Sequence, residues 1–430
     1  MRLAMCTLGC KVNTYEAQSV LEKLKDQGYE EVDFKEEADV YVIFTCAVTN
    51  TAASKSRKKI HQAIRQNPDA VICVVGCYVQ INANELAKDE HIDILVGSAS
   101  KAMIPQLIEE ALEEKKQIVR IEDVSVAPAF ETLTLNRFEH QTRAFLKIQD
   151  GCNQFCSYCI IPYARGRERC MEPSLVVEEA RRLSEHHKEI VLTGIHTGRY
   201  GRTDGMTLAK LIRMILDDCP KLERIRISSI EITEIDEELI DLIANEKRVA
   251  RHLHIPLQSG CDETLKRMNR PYTTEEFLRK VEYIRQCVPD ISISTDLIVG
   301  FMGESEEEYQ STLNFLKQVK FSFMHVFPFS LKAGTKAAAM SDMVADDAKK
   351  ARAKECGQLS KDGYHAYKSG FVNRKLEVII EEPDGEYCIG HASEYVPVKV
   401  KGHYEPNTMV EVLITHMTKD ELYGVEVTHG

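Results

Sequence analysis

The chain has 430 residues, 43% of them hydrophobic, and carries a formal net charge of −12. That length corresponds to about three domains of ~150 residues each, and that apolar content excludes wholesale disorder. The acidic balance argues against a protein that coats nucleic acid non-specifically, while leaving room for local basic patches.

No apolar run approaches the ~18 residues that a membrane helix needs; the densest stretch is 70–77, so no membrane association is expected. Residues 1–6 meet Lys11 too early for a secretory signal, and the expected location is cytoplasmic. In a reducing compartment the fourteen cysteines are expected to serve metal or catalytic roles rather than disulfides.

Along the first 120 residues, β-rich runs at 2–8, 39–45, 70–76 and 92–96 alternate with amphipathic helical stretches. Such alternation predicts an α/β domain, 1–121, with an open parallel sheet and helices on both faces. Residues 122–141 are irregular, contain Pro128 and read as a linker. A central domain, 142–369, follows, with strands predicted at 144–149, 189–193, 224–228, 252–256, 291–298 and 323–327 and a helical stretch after each. Six (β/α) units predict a partial barrel, two units short of a closed one.

The patterning of these strands is informative. Arg224, Arg226 and Ser228 alternate with Ile225 and Ile227; Ser292, Ser294 and Asp296 alternate with Ile291, Ile293 and Leu297. His252 and His254 oppose Leu253 and Ile255, and Lys147 and Gln149 oppose Leu146 and Ile148. Parallel strands buried on both faces normally read as continuous apolar runs. The alternation therefore predicts either a polar lumen that holds a ligand or an antiparallel sheet with one solvated face.

A helix over 345–368 leads into a last domain, 370–430, with five short strands predicted at 375–380, 387–392, 395–400, 410–415 and 422–427. These predict a small all-β barrel of the nucleic-acid-binding sort. Residues 371–430 hold five Lys/Arg against eleven Asp/Glu, so charge supports an RNA role for this module less than shape does.

Chemistry concentrates in the cysteines. Cys152, Cys156 and Cys159 form a C-x₃-C-x₂-C loop just after the first barrel strand, at the end where β/α enzymes place their sites. Three thiolates on one tight loop can hold three irons of a cubane cluster and leave the fourth open; zinc with a distant fourth ligand is the alternative. Upstream, Cys10, Cys46 and Cys77 each follow a predicted strand directly. Strand ends of an open parallel sheet line one crevice, so these three are expected to converge. Gly9 and Gly76 allow tight turns and close approach to a cofactor. Cys6 and Cys73 lie within strands and read as small core residues; Cys219, Cys261, Cys287, Cys356 and Cys388 show no partner spacing and read as structural.

The 152–159 loop resembles the radical S-adenosylmethionine (SAM) superfamily. With the runs 7–13, 152–166 and 254–260, two cysteine trios, a β/α barrel and a terminal module that looks like a TRAM domain, the whole chain resembles the methylthiotransferase family. The runs 159–166 and 192–198 look most like its MtaB branch, which converts threonylcarbamoyladenosine in tRNA to the 2-methylthio form. The isopentenyladenosine and ribosomal-protein branches are the near alternatives, and a non-catalytic iron–sulfur RNA-binding redox sensor is the rival class. Departures from the family pattern are Cys170 for serine, Met302 for proline, and a looser run at 331–335.

The resemblance implies two [4Fe-4S] clusters, one on each trio, and SAM bound at the barrel cluster's open iron. SAM cleavage to a 5′-deoxyadenosyl radical would drive insertion of sulfur held on the N-terminal cluster at adenine carbon 2 of position 37. Tyr158 is the aromatic residue placed near the SAM adenine, and Gly194, Ser228, Glu231, His254 and Asp296 are the further SAM contacts expected. tRNA is the implied partner, with an electron donor such as a flavodoxin or ferredoxin. For the RNA, Lys55, Lys58 and Lys59 form a basic face on the helix after Cys46, opposite Ala53, Ile60 and Ile64; a merely solvated face is the bland reading. Arg165, Arg167 and Arg169 stand at the barrel mouth, where arginines can grip anticodon phosphates, although Arg165 is equally suited to pairing with a carboxylate inside the protein. Threonylcarbamoyl carries a carboxylate, and the expected lumen-facing cations are Arg224, Arg226, His252 and His254.

Overall fold

The structure, a computed structural model, describes residues 1–430 apart from 127–128, 140, 203–204 and 428–430; Pro128 lies outside the described residues. The N-terminal sheet has six parallel strands: β1 (Arg2–Thr7), β2 (Glu30–Val32), β3 (Val40–Thr45), β4 (Val71–Gly76), β5 (Ile94–Val96) and β6 (Ile118–Arg120), in the order β2-β1-β3-β4-β5-β6. Successive side chains serve opposite faces: Val42 and Phe44 join one apolar layer, Tyr41 and Ile43 the other. The edge strands β2 and β6 escaped the sequence reading because three residues carry no readable alternation. Helices α1 (Lys11–Asp26), α2 (Asn50–Gln66) and α3 (Cys77–Leu86) follow β1, β3 and β4, which puts Cys10, Cys46 and Cys77 at the same edge of the sheet.

The six central strands are β7 (Arg143–Lys147), β8 (Glu189–Thr193), β9 (Arg224–Ile227), β10 (His252–His254), β11 (Ser292–Val299) and β12 (Phe323–Pro328). All their ladders are parallel, which settles the alternating pattern in favour of a polar lumen. Ile225, Ile227, Leu253, Ile293 and Leu297 pack outward into one core with the helices. The six do not form a continuous sheet: they split into β9-β8-β7 and β10-β11-β12. β10 is only three residues long, and the two halves are tied by short links such as Ala250 N–H to Ile225 O at 2.8 Å.

The unpaired edges of β7 and β12 leave the barrel open on one side. Helix α1 lies against β7, with Lys147 Nζ 2.6 Å from Glu16 Oε1. Within the segment read as a linker, residues 133–138 pack down against the barrel and α1. Leu133, Leu135 and Phe138 are buried in the barrel core, and Thr134 O accepts from Ser19 Oγ of α1 at 2.8 Å.

After the helix Asp346–Ser369, the chain closes a five-stranded β-barrel from Lys375–Asp384, Tyr387–Ala392, Pro397–Lys401, Met409–Thr418 and Glu421–Glu426. Arg224 and Arg226 hold it against the central barrel. Both pair with buried Glu189, and they donate to the Glu377, His391, Ala392 and Ser393 carbonyls. These two arginines alternate correctly with the isoleucines but spend their hydrogen bonds on a domain seam. As cations free to meet a substrate carboxylate they are corrected, because Glu189 lies between them.

Candidate active site

Local backbone demands explain the N-terminal trio. Gly9 has φ +103°, and a Cβ there would sit 2.8 Å from Cys46 Cβ and 3.0 Å from its Sγ. Gly76 has φ +104°, with Thr45 O 3.0 Å from where its Cβ would be. Only glycine lets both turns close onto the Thr45–Cys46 turn between them. Burial, together with the neighbouring thiols Cys77 and Cys10, pushes the Cys46 thiol up to about 11. A thiol kept protonated beside two others is suited to a metal centre, whose positive charge deprotonates coordinating thiols. Cys73 is fully buried within β4, as a core residue should be, whereas Cys6 is only half-buried within β1.

The barrel trio is built the same way. Burial and then the Cys156 thiol beside it push Cys159 up to about 12. Cys152 and Cys156 each have a cation beside them. His196 Nδ1 is 3.4 Å from Cys152 Sγ, and its Nε2 is 2.7 Å from Glu234. Burial opposes the imidazolium, but the bonds to Cys152 and Glu234 carry His196 up to about 10. Buried Arg270 donates to Cys156 Sγ at 3.5 Å and pairs with Glu231, so Glu231 is an anchor for this arginine. Tyr158 is half-buried and packs edge-on to Phe301.

A buried ion network joins the two trios. Arg165 is fully buried; its Nε donates to Cys77 Sγ at 3.2 Å and its Nη1 to Glu16 at 2.8 Å, while Nη2 donates to Asn13 Oδ1 at 2.7 Å. Asp150 receives Lys147, Arg165 and Arg169. Burial alone would raise the Glu16 carboxyl, but Arg165, Lys101 and Lys147 hold it down to about 2. Asn13 in turn donates to Leu8 O and Thr45 O, locking the turns that carry Cys10 and Cys46. Ile160 and Ala164 pack on Cys77 and Ala47 across the same seam.

Arg165 is therefore corrected from a phosphate contact to an internal partner. Arg169 is corrected too: it donates to Asp150 and to the Arg165 and Arg167 carbonyls. Arg167 is exposed, its guanidinium 5.1 Å from the Phe155 ring centre. On α2, Lys55 and Lys58 are exposed, with Ala53 and Ile60 buried opposite. Lys59 leaves the basic face, bonded to Gln62 at 3.0 Å and lying over the Phe34 ring.

Beside this network the lumen holds a cavity of about 710 Å³ walled by all three parts of the chain. The N-terminal turn gives Cys10 and Lys11; the strands give Gly194, Arg226, Ser228, His252, His254, Asp296 and His325; the terminal barrel gives His391 and Tyr395. Ser228 Oγ is buried there with no hydrogen-bond partner among the described residues. His254 Nδ1 lies 2.9 Å from Ser294 Oγ and its Nε2 3.3 Å from Asp296. The donor atoms of His254, Asp296 and His325 fall within 4.8 Å of one another. His252 is not a cation: burial and then Arg226 drive its pKa well below the usual histidine range, and its ring stacks on Tyr395 at 4.7 Å. Burial, then Arg143 and Arg226, bring Lys11 down to about 8.

Several of these groups escaped the sequence reading. Asn13 and Glu16 stand three apart on α1, a spacing that marks one helix face but not what that face meets. Arg270 and Tyr395 gave no local signal at all, and His196 stood in the run 192–198 with no role attached to it.

Two family models match the chain: the uncharacterized protein family UPF0004 over residues 2–97 and the Radical SAM superfamily over residues 146–316. A threonylcarbamoyladenosine tRNA methylthiotransferase MtaB from Bacillus subtilis (strain 168) is 43% identical over 93% of this chain and 90% of its own length. Its namesake from Aquifex aeolicus (strain VF5) is 37% identical over 96% and 100%. A tRNA-2-methylthio-N(6)-dimethylallyladenosine synthase from Clostridium novyi (strain NT) is 34% identical over 89% and 86%. Among solved structures, the radical S-adenosylmethionine methyltransferase TsrM from Kitasatospora setae, with cobalamin and a [4Fe-4S] cluster bound, shares the fold. It aligns with TM-score 0.55 at 16% identity over 78% of this chain and 77% of its own. The cysteine trios fit the cofactors of such enzymes, SAM and [4Fe-4S] clusters, and the chain belongs to the methylthiotransferase family of radical SAM enzymes, in its MtaB branch.

Proposed function

We propose that this chain methylthiolates carbon 2 of threonylcarbamoyladenosine at position 37 of tRNA, next to the anticodon. One observation carries the reading: two cysteine trios from different domains are joined through Arg165, which follows one trio in sequence and donates to Cys77 of the other, beside a cavity large enough for a nucleoside. The relatives named for threonylcarbamoyladenosine support this substrate over the isopentenyl one.

In this reading Cys152, Cys156 and Cys159 hold one [4Fe-4S] cluster and Cys10, Cys46 and Cys77 the other. Held there with two molecules of SAM, these groups would supply single electrons, a carbon-centred radical from the SAM that is cleaved, sulfur, and the methyl group from the other SAM, which suit an aromatic C–H that acid–base chemistry leaves inert. The protein supplies placement. His196, Arg270 and Arg165 each direct a cation at one thiolate, stabilising its charge. Ser228, His254 and Asp296 offer SAM polar atoms in the lumen, Gly194 leaves its backbone open to it, and Tyr158 stands beside Cys159. The three-part wall of the cavity surrounds the reacting carbon on several sides and narrows the access of water to it. Lys55, Lys58 and Arg167 remain as the exposed cations for anticodon phosphates. A flavodoxin- or ferredoxin-like donor supplies the electron.

Mass spectrometry of nucleosides from the tRNA of a deletion strain tests this. Threonylcarbamoyladenosine should accumulate and only its 2-methylthio form should vanish. Loss of the methylthio group from isopentenyladenosine instead would move the protein to the other branch. A redox sensor would bind clusters yet release no 5′-deoxyadenosine from SAM.

A further inference from the structure

We infer that Lys11 is the specificity-determining cation of the cavity, and that its ammonium receives the carboxylate of the threonylcarbamoyl substituent. This rests on the substrate reading above and adds to it a residue that reads the charge.

Most basic groups around the cavity are already committed within the protein. Arg226 lines it, but its guanidinium is held by Glu189 Oε1 at 2.7 Å and by the Ser393 and Ala392 carbonyls. Arg143, close by, pairs with Glu381 at 3.2 Å. His254 faces Asp296, and His252 shares Ser294 Oγ with it. Lys11 differs. It is half-buried, lines the cavity, and has no side-chain hydrogen bond or ion pair among the described residues. A half-buried ammonium held beside arginines is costly without a counter-charge, so the ligand is the natural source of one.

Position identifies which ligand atom that is. Lys11 follows Cys10 directly, at the first turn of α1, and both face the same space. In adenine a single ring atom, N1, separates carbon 2 from carbon 6, the carbon that bears the substituted nitrogen. A base that presents carbon 2 toward Cys10 therefore sends its substituent away within reach of the neighbouring side chain. An isopentenyl group in that place would leave the ammonium unpaired against hydrocarbon. The threonyl carboxylate neutralises it. The carboxylate of SAM does not compete if it is held, as the resemblance implies, at the other trio.

The test is binding, measured anaerobically on the cluster-loaded full chain without SAM, so that no turnover occurs. Three anticodon stem-loops are compared: unmodified adenosine at position 37, threonylcarbamoyladenosine, and its methyl ester, which removes the charge from the ligand. The native protein should prefer the threonylcarbamoyl form by at least about tenfold, the scale of one charge-assisted hydrogen bond, and esterification should abolish that preference. Lys11→Gln should lose the preference with unchanged iron content, and Lys11→Arg should keep most of it. If the native protein binds modified and unmodified stem-loops equally, the substrate reading fails and the inference with it. If the preference exists but survives esterification, or survives in Lys11→Gln, the substrate reading stands and Lys11 is not its reader. An equal loss on all three stem-loops would make Lys11 a phosphate contact and overturn the assignment. The ester comparison uses only the native protein, so a preference that survives esterification overturns the assignment even if Lys11→Gln loses its cluster.

Discussion

Arg165 Nε donates to Cys77 Sγ across 3.2 Å, from the helix that follows the Cys159 loop to the first residue of α3 in the N-terminal domain. The same guanidinium carries Glu16 and Asn13, so one side chain sets the spacing of the two trios. Replacing it with methionine leaves Glu16 and Asp150 buried with fewer cations, a change worth about 3–5 kcal/mol when a buried pair is broken. Arg165→Met should therefore lower the thermal midpoint and deplete iron from the N-terminal site, while Arg165→Lys restores charge without the fork geometry and should recover only part of both. Iron per chain and a melting curve report this; native iron content in Arg165→Met would count against the role.

The two trios should be separable by iron content. After anaerobic reconstitution each is expected to contribute about four irons. Changing Cys152, Cys156 and Cys159 together to alanine should remove one set, and changing Cys10, Cys46 and Cys77 the other. Cys6→Ala and Cys73→Ala should leave both in place. Full iron in either triple variant would refute the ligand assignment.

The N-terminal triple variant should still convert SAM to 5′-deoxyadenosine under strong reductant, because the barrel trio is intact. It should form no methylthio product, having nowhere to hold sulfur. Product formation by this variant would show that the N-terminal trio is not the sulfur site.

Lys55 and Lys58 remain exposed on α2 after Lys59 is lost to Gln62. Lys55→Glu with Lys58→Glu should weaken tRNA binding and flatten its logarithmic salt dependence by about two phosphates' worth, near 0.9 per phosphate on a duplex. Iron content should not change. An unaltered slope returns the two lysines to ordinary solvated surface.

Glu179 supplies a pH dependence. Burial, opposed by the Tyr15 hydroxyl, raises its carboxyl to about 8 from the ordinary 4.5. Tyr15 has one proton for two acceptors, Leu133 O and Glu179, and a protonated Glu179 resolves this by donating to the tyrosine oxygen. Between those two values the folded chain holds a proton that the unfolded chain has released. This group's contribution to stability is therefore complete below pH 4.5 and lost as pH rises to 8, at about 1.4 kcal/mol per pH unit. Glu179→Gln should remove that slope and raise the melting temperature at pH 8 more than at pH 5. Melts of both proteins across this range decide it; parallel curves would mean Glu179 is ionised in the fold.

Local and periodic features were legible in the sequence. The C-x₃-C-x₂-C loop is confined to eight residues, and the strand patterns at 224–228 and 291–298 repeat every second residue, so the loop and a sheet with one polar face could be read from chain-local information, while the parallel ladders decided that this face lines a lumen. Cys10, Cys46 and Cys77 were legible one step less directly, through the rule that parallel strand ends share a crevice; the tight turns at Gly9 and Gly76 then let the chain pass over the thiols. What each charge does was decided only by the tertiary structure. Arg165, Arg169, Arg224 and Arg226 stand where a phosphate or carboxylate binder would, yet their partners Glu16, Asp150 and Glu189 arrive from elsewhere in the fold, Glu16 from 149 residues away. Lys11, which has no notable pattern of its own, stands in the lumen without a partner among the described residues. A charge acts through whatever counter-charge lies within a few ångströms, and the sequence, which orders residues without measuring the distances between them, determines the presence of the charges but not their pairing.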